Sequence, residues 1–291
     1  MAEQVSQIDF NGKYQSSSSL NINDIQRALV YGDCVFEHFR TNASKILFFG
    51  RHIDKLCAAM SLLNMDIPKK FSTERAVLKD ELSKLLIKNK IFKGGLLTLL
   101  VFRKGGSEIL PQNAETEYIA MVNHMPTVLY ELNKQALSLC IYDEIPMPSG
   151  HIANVNTHAG SLVKNLAAQH ARKMRTTDAL VVNTQGNIVE SALHGNVFCV
   201  KDSVLYTTPL SEGCCDSVIR HHVLDVADTL GIQVDVKTNI TLDFLKVVDE
   251  IFLASTEFGI VWVGALQNRR FYRRTAETIL NKLNDYYSDE F

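Results

Sequence analysis

Apolar and polar positions along the chain alternate in two rhythms, and the switch from one to the other marks the elements. In "CVFEHFRTNASKILFF", β-branched and aromatic residues lie on both sides of the polar "TNASK", which predicts a β-hairpin. In "RHIDKLCAAMSLLNM", Ile53, Leu56, Cys57, Met60 and Leu63 recur at helical spacing, so Arg51 is placed near a helix start. "STERAVLKDELSKLLIKNK" predicts a second helix, with Ser72–Thr73 followed by Glu74 as its capped start. The apolar runs "GLLTLLVFR" and "EYIAMVNHM" predict two strands. The first half is therefore expected to be α+β around an antiparallel sheet.

After Pro126 the mixed, amphipathic "PTVLYELNKQ" is expected to act as a connector. A strand, "ALSLCIYDE", precedes "HIANVNTHAGSLVKNLAAQHARK", which reads as a short strand running into a helix. The segment "DALVVNTQGNIVESALHGNVFCVKDSVLYTTP" is expected to be a hairpin, with "NTQGN" supplying the turn chemistry. "DSVIRHHVLDVADTLGI" predicts a helix ended by Gly231 at the C′ position. "QVDVKTNI", a short helix around "LDFLKVV" and the strand "EIFLAS" follow, and "RTAETILNKLNDYY" is a closing amphipathic helix. These elements imply a small α+β domain over 1–124, a connector over 125–134 and a larger α/β domain over 135–291.

Composition narrows the class. The chain has 291 residues, 46% of them apolar, which allows a substantial core and argues against wholesale disorder. A formal charge of −2 gives no electrostatic reason to expect nucleic acid or an anionic membrane as partner. No apolar run reaches the ~20 residues that span a bilayer. The opening "MAEQVSQIDF" lacks the basic region and apolar core of a secretory signal, so a cytoplasmic location is expected. The six cysteines are scattered, mostly in apolar runs, and read as buried free thiols; a bridge between the adjacent Cys214 and Cys215 would be strained.

The blocks "YGDCVFEHFR", "RHIDKL", "DALVVNTQGNIVESALHGNVF", "LYTTPLSEGCCDSVIR" and "DEIFLASTEFGIVWV" carry a family resemblance. In order and spacing they resemble the fold-type IV pyridoxal-phosphate (PLP) enzymes: branched-chain aminotransferases, D-amino-acid aminotransferases and 4-amino-4-deoxychorismate lyases. The similarity covers roughly residues 20–270. It implies a two-domain α+β architecture of the D-amino-acid aminotransferase type, with both domains enclosing one cleft. It also implies a homodimer, PLP as cofactor and a small anionic or amino acid-like substrate.

The resemblance assigns roles residue by residue. Arg51 matches a phosphate-binding arginine, although alone it reads equally as a solvated first-turn arginine. Glu190 matches the glutamate that pairs with the protonated ring nitrogen; its plainer reading is a charged strand-end residue. Val218 and Ile219 match the pair whose backbone amides meet the phosphate, Arg220 closes that motif, and Thr256 matches a phosphate-proximal threonine.

The departures fall on the same places. Asn156 stands where the family carries its Schiff-base lysine, and an amide nitrogen is not nucleophilic. Ile219 removes a hydroxyl, Ser217 and Cys34 replace glycines, and the loop from Glu190 to Asn196 is one residue longer than usual and carries His194. Shifting the alignment by one residue would place Thr157 in the slot, with the same consequence. Lys164, ~12 Å further along the helix at 1.5 Å per residue, reads as a solvated helix lysine. His158 and His194 form no readable metal-ligand set, and His221 and His222 read as helix surface.

Three readings of function follow. One is a degenerate or repurposed homologue that binds a small anion, or PLP non-covalently. Another is an active PLP-dependent aminotransferase or aminodeoxychorismate lyase with a non-standard site. The third is a structural or interaction role. A lysine in the strand-to-helix slot would mark the enzyme reading, and position 156 lacks one.

Overall fold

An Asn-Gly pair shapes the first hairpin. Strands β1 (Gln7–Phe10) and β2 (Lys13–Ser16) pair antiparallel around Asn11 and Gly12, whose φ angles of 53° and 85° suit a tight hairpin turn. The computed structural model describes residues 6–106 and 108–290. It divides into two compact units: one runs to Leu129 and takes in Asn156–His158, and the other holds Tyr130–Val155 and Ala159–Asp289.

In the first unit the hairpin leads to α1 (Ile22–Tyr31), where Asn21 caps the start and Gly32, at φ 61°, ends the helix. The apolar rhythm predicts neither the hairpin nor α1. Then follow β3 (Cys34–Asn42), β4 (Lys45–Ile46), α2 (Phe49–Leu62), α3 (Arg75–Lys88), β5 (Gly94–Arg103) and β6 (Thr116–Met125). The strands form one antiparallel sheet in the order β2-β1-β6-β5-β3-β4. Arg51 falls in the first turn of α2, as its spacing predicts. The expected cap of α3 is not made. Glu74 occupies the cap position without a side-chain bond, while the Ser72 hydroxyl donates instead to the carbonyls of Pro68 and Lys69 at 3.4 Å.

The second unit is a mixed sheet. Its elements are β7 (Leu137–Met147), α4 (His158–Lys173), β8 (Asp178–Asn183), β9 (Ile188–Ser191), β10 (Gly195–Lys201), β11 (Val204–Thr207), α5 (Val218–Thr229), β12 (Val234–Asp235), α6 (Leu242–Leu245), β13 (Glu250–Ser255), β14 (Gly259–Leu266), β15 (Arg269–Arg270) and α7 (Arg274–Ser288). β7 is parallel to both β8 and β14, and α4 provides the crossover that a parallel β7–β8 pair requires. β9 pairs with β8 on one side and β10 on the other, so β10, β13, β14, β7, β8 and β9 close on themselves. Leu139, Leu180, Val197, Ile251, Leu253 and Val263 belong to one buried cluster of this unit; Ala167 and Ala171 of α4 pack with Val181 and Val189 in another.

Two local expectations fail here. The segment before α4 is no strand: His151–Asn154 is a 3₁₀ turn, and Asn154 donates to the carbonyls of Leu210 and Cys214 at 2.8 and 2.6 Å. A polar side chain that satisfies loop carbonyls competes with the extended conformation. Only an isolated bridge between Thr157 and Val35 remains. His222 is also not surface. It is fully buried, with Nδ1 3.1 Å from the Tyr287 hydroxyl and its ring edge-on to Tyr286 and Tyr287. All six cysteines are free thiols. Among the described residues, no helix is long and apolar enough to cross a membrane, and no His/Cys/Asp/Glu cluster could hold a metal ion.

Candidate active site

Glu190 organises the polar centre of the second unit. It lies on β9 opposite Asn196 of β10 and is 1% exposed. A buried carboxylate needs donors on both oxygens and a countercharge. Its Oε1 accepts the backbone N–H of Cys215, and its Oε2 pairs with the Lys164 ammonium. Asn196, itself buried, donates to the Cys215 carbonyl at 2.8 Å and accepts the Ser217 hydroxyl. The carboxylate, the amide and the turn "EGCCDS" thus hold one another.

Gly213 makes that turn feasible. Its φ is 98°, and a Cβ there would lie 2.5 Å from the Pro148 carbonyl oxygen. Beyond the turn, Ser217 is the N-cap of α5, its Oγ accepting the Arg220 N–H at 3.2 Å. Ser217 departs from the family pattern, yet here it both starts the helix and anchors Asn196. Ser217→Ala is expected to cost about 1–2 kcal/mol, a lost cap plus a buried acceptor left without its donor. Urea denaturation checks this; a variant within ~0.3 kcal/mol of the parent would refute the double role.

Val218 and Ile219 are the first two residues of α5 and are buried. Their N–H groups, in the first turn, have no intrahelical acceptor, the arrangement that attracts anions at helix starts. Thr256 follows β13, and its carbonyl accepts the Tyr130 hydroxyl at 2.9 Å.

Lys164 is no solvated helix lysine. It shares a stripe of α4 with Ala167 and Ala171, three and seven positions on, which are 0% and 1% exposed. Its side chain is half-buried. Desolvation is the largest single influence and works against the charged amine. The Glu190 carboxylate, with smaller contributions from Cys215 and Cys214, nevertheless leaves the pKa above the ordinary lysine value. The stripe was legible in the sequence; the carboxylate at its end was not.

The first unit holds the remaining candidates. Asn156 donates its side-chain N–H to Glu37 Oε1 at 3.1 Å, and Glu37 Oε2 lies 3.1 Å from Nδ1 of the buried His52. Its backbone carbonyl accepts the Phe36 N–H at 3.2 Å. Asn156 is thus tied to β3 by side chain and backbone together. Arg51, beside His52 on α2, is exposed. His194, in the second unit, lies 2.7 Å from the fully buried Asp178 and packs on the Phe258 ring, a hydrogen-bonded loop residue.

The chain is similar to known proteins over nearly its whole length. The chain is 25% identical over 285 residues to the putative branched-chain-amino-acid aminotransferase of Methanocaldococcus jannaschii, covering 97% of this chain and 95% of that one. Its fold matches the branched-chain aminotransferase of Thermoproteus uzoniensis, solved with norvaline, at TM-score 0.85 and 18% identity, covering 98% and 96% of the two chains. It matches the branched-chain amino acid aminotransferase of T.th., solved with pyridoxamine 5'-phosphate, at TM-score 0.84 and 20% identity, covering 99% and 96%. The family model for amino-transferase class IV matches residues 34–266. With most of its length inside that match, the chain belongs to the class IV aminotransferase family and has its fold-type IV architecture.

Proposed function

We propose that this chain has kept the class IV aminotransferase scaffold but given up lysine-anchored PLP chemistry, and that it binds a small anionic or amino acid-like ligand. The observation that carries the reading is the disposition of Asn156 and Lys164. The side chain at 156 is an amide committed to Glu37, and the Lys164 ammonium is committed to Glu190. PLP, when bound, supplies an electron-accepting ring that a lysine amine anchors and serves as base. These residues do not fit that arrangement. The carboxylate expected to face the ring nitrogen already has a cation, and an amide cannot take the lysine's part.

Support for a ligand-binding role comes from what remains. The start of α5 offers the N–H groups of Val218 and Ile219, and an anion there needs no covalent anchor. An amino acid-like ligand follows from the relatives, whose names describe aminotransferases.

Incubation with PLP, borohydride reduction and peptide mapping test the chemistry. The expected result is no phosphopyridoxyl adduct on a site lysine and no transamination of branched-chain or D-amino acids. An adduct on Lys164 would instead establish a PLP enzyme with a non-standard lysine. Inorganic phosphate and branched-chain 2-oxo acids are expected to raise the melting temperature through linkage. Absence of a shift with all of them would reject the ligand-binding half.

A further inference from the structure

We propose that the Lys164 ammonium is a built-in substitute for the cofactor's cationic ring nitrogen: it neutralises Glu190 from within the protein and excludes a pyridinium ring from that carboxylate. The inference deepens the proposed function and rests on it.

Three observations lead to it. Glu190 is 1% exposed, and an isolated buried carboxylate is costly, so its environment must contain a cation or protonate it. Within the second unit Oε1 accepts the Cys215 N–H, while Oε2, which takes no aligned hydrogen bond, has the Lys164 ammonium against it as an ion pair. Finally, α4 is built to deliver the amine. Ala167 and Ala171 on the same stripe are small enough for the helix to lie close against the sheet, and the four-carbon lysine stem then reaches β9.

Charge counting gives the consequence. One carboxylate and one ammonium leave the centre neutral, and a protonated ring nitrogen entering beside them would leave an uncompensated buried positive charge. A ring without that proton would have no hydrogen to offer Glu190. Either way the ring must displace Lys164, and the displaced ammonium loses its carboxylate. Compared with a site that offers a bare carboxylate, the affinity for a pyridinium ligand falls. The loss of the amine at 156 and its presence at 164 therefore act in the same direction: the first removes the covalent anchor and the second closes the ring-nitrogen contact.

The test is equilibrium binding of pyridoxamine 5'-phosphate to the full chain, followed by fluorescence and calorimetry. This probe carries ring and phosphate but no aldehyde, so a Schiff base cannot contribute. Lys164→Met is expected to bind it tighter than the parent by on the order of tenfold or more, as one buried charge partner is exchanged for another. Lys164→Arg, which keeps the charge, should bind as weakly as the parent. Inorganic phosphate, which makes no demand on Glu190, should bind parent and Lys164→Met alike. Should Lys164→Met not fold, Lys164→Gln, polar but uncharged, is read in its place.

An unchanged or weaker affinity for pyridoxamine 5'-phosphate in a folded, uncharged variant overturns the inference. If the parent also yields no borohydride adduct, the proposed function stands while this inference falls. An adduct on another lysine of the parent, together with tighter binding by Lys164→Met, would reject the proposed function and leave the role of Lys164 intact.

Discussion

Asp33→Ala is expected to destabilise the protein by about 3–5 kcal/mol, the cost of breaking a buried ion pair from one side. Asp33 Oδ2 lies 2.6 Å from Arg27 Nε and 2.9 Å from Arg103 Nε, and the two arginine side chains are only 5% and 7% exposed. The rest of each guanidinium binds carbonyls. Arg27 donates to Glu108 and Ile109 at 2.6 and 2.9 Å; Arg103 donates to Asn64 and Leu63 at 2.9 and 2.7 Å. Carbonyl dipoles orient these heads, but only Asp33 carries a compensating charge to them in these contacts. The control is Asp80→Ala, which removes an exposed pair with Lys84 at 2.6 Å, both side chains being about 60% exposed. Such a pair contributes ~0–1 kcal/mol. Chemical denaturation followed by circular dichroism separates the two. Equal losses in both variants would mean that burial does not set the worth of the Asp33 cluster.

The second large effect depends on pH. Asp9 is fully buried in the first unit, and burial, with a smaller contribution from Glu81, raises its carboxyl pKa to about 6 against the backbone N–H of Gly12 and the ammonium of Lys70. A folded-state pKa above the unfolded value means that folding favours the protonated acid. The stability it contributes is complete below the unfolded pKa of about 3.9 and is lost as pH rises through about 6. Above that, the ionised carboxylate costs on the order of 2–3 kcal/mol, at 1.36 kcal/mol per pKa unit. Asp9→Asn keeps an oxygen to accept the Gly12 N–H, 2.6 Å away in the parent, and cannot ionise. The variant should be more stable than the parent at pH 7.5 and no better at pH 4. Stability curves for the two that stay parallel from pH 4 to pH 7.5 would exclude Asp9 as the source.

Much of the scaffold was legible because local rules govern it. The helical spacing of Ile53, Leu56 and Met60 marked α2, and all three side chains are buried where that spacing put them. "NTQGN" marked the turn between β8 and β9, with Gly186 at φ 79°. Gly231 ended the helix at α5, its N–H bonding back to the Asp228 carbonyl at 2.9 Å. Local rules also misled. Ser72 can cap a helix or bind the preceding turn, and the turn at Pro68 and Lys69 takes its hydroxyl. Asn154 can extend a strand or satisfy carbonyls, and Leu210 and Cys214 claim its amide. For Ser72 the competitor is a neighbouring turn only three and four residues back, so two local rules conflict. For Asn154 it is a segment 56 to 60 residues away, whose position a sequence pattern does not report.

At the candidate site the division is sharper. That position 156 bears an amide is a covalent fact readable from residue identity, and the resemblance of Glu190, Val218 and Ile219 to class IV motifs is likewise read from the sequence alone. No folding can give Asn156 an amine. Which group each charge serves is a different matter, because ion pairing depends on distance and burial, and both arise from segments far apart in sequence. Lys164 lay in plain view on a helix, and its stripe with Ala167 and Ala171 hinted at an inward face. Only the pairing of β9 with β8 and β10 brings Glu190 to the end of that lysine, and burial then makes the contact strong where solvent would have made it negligible.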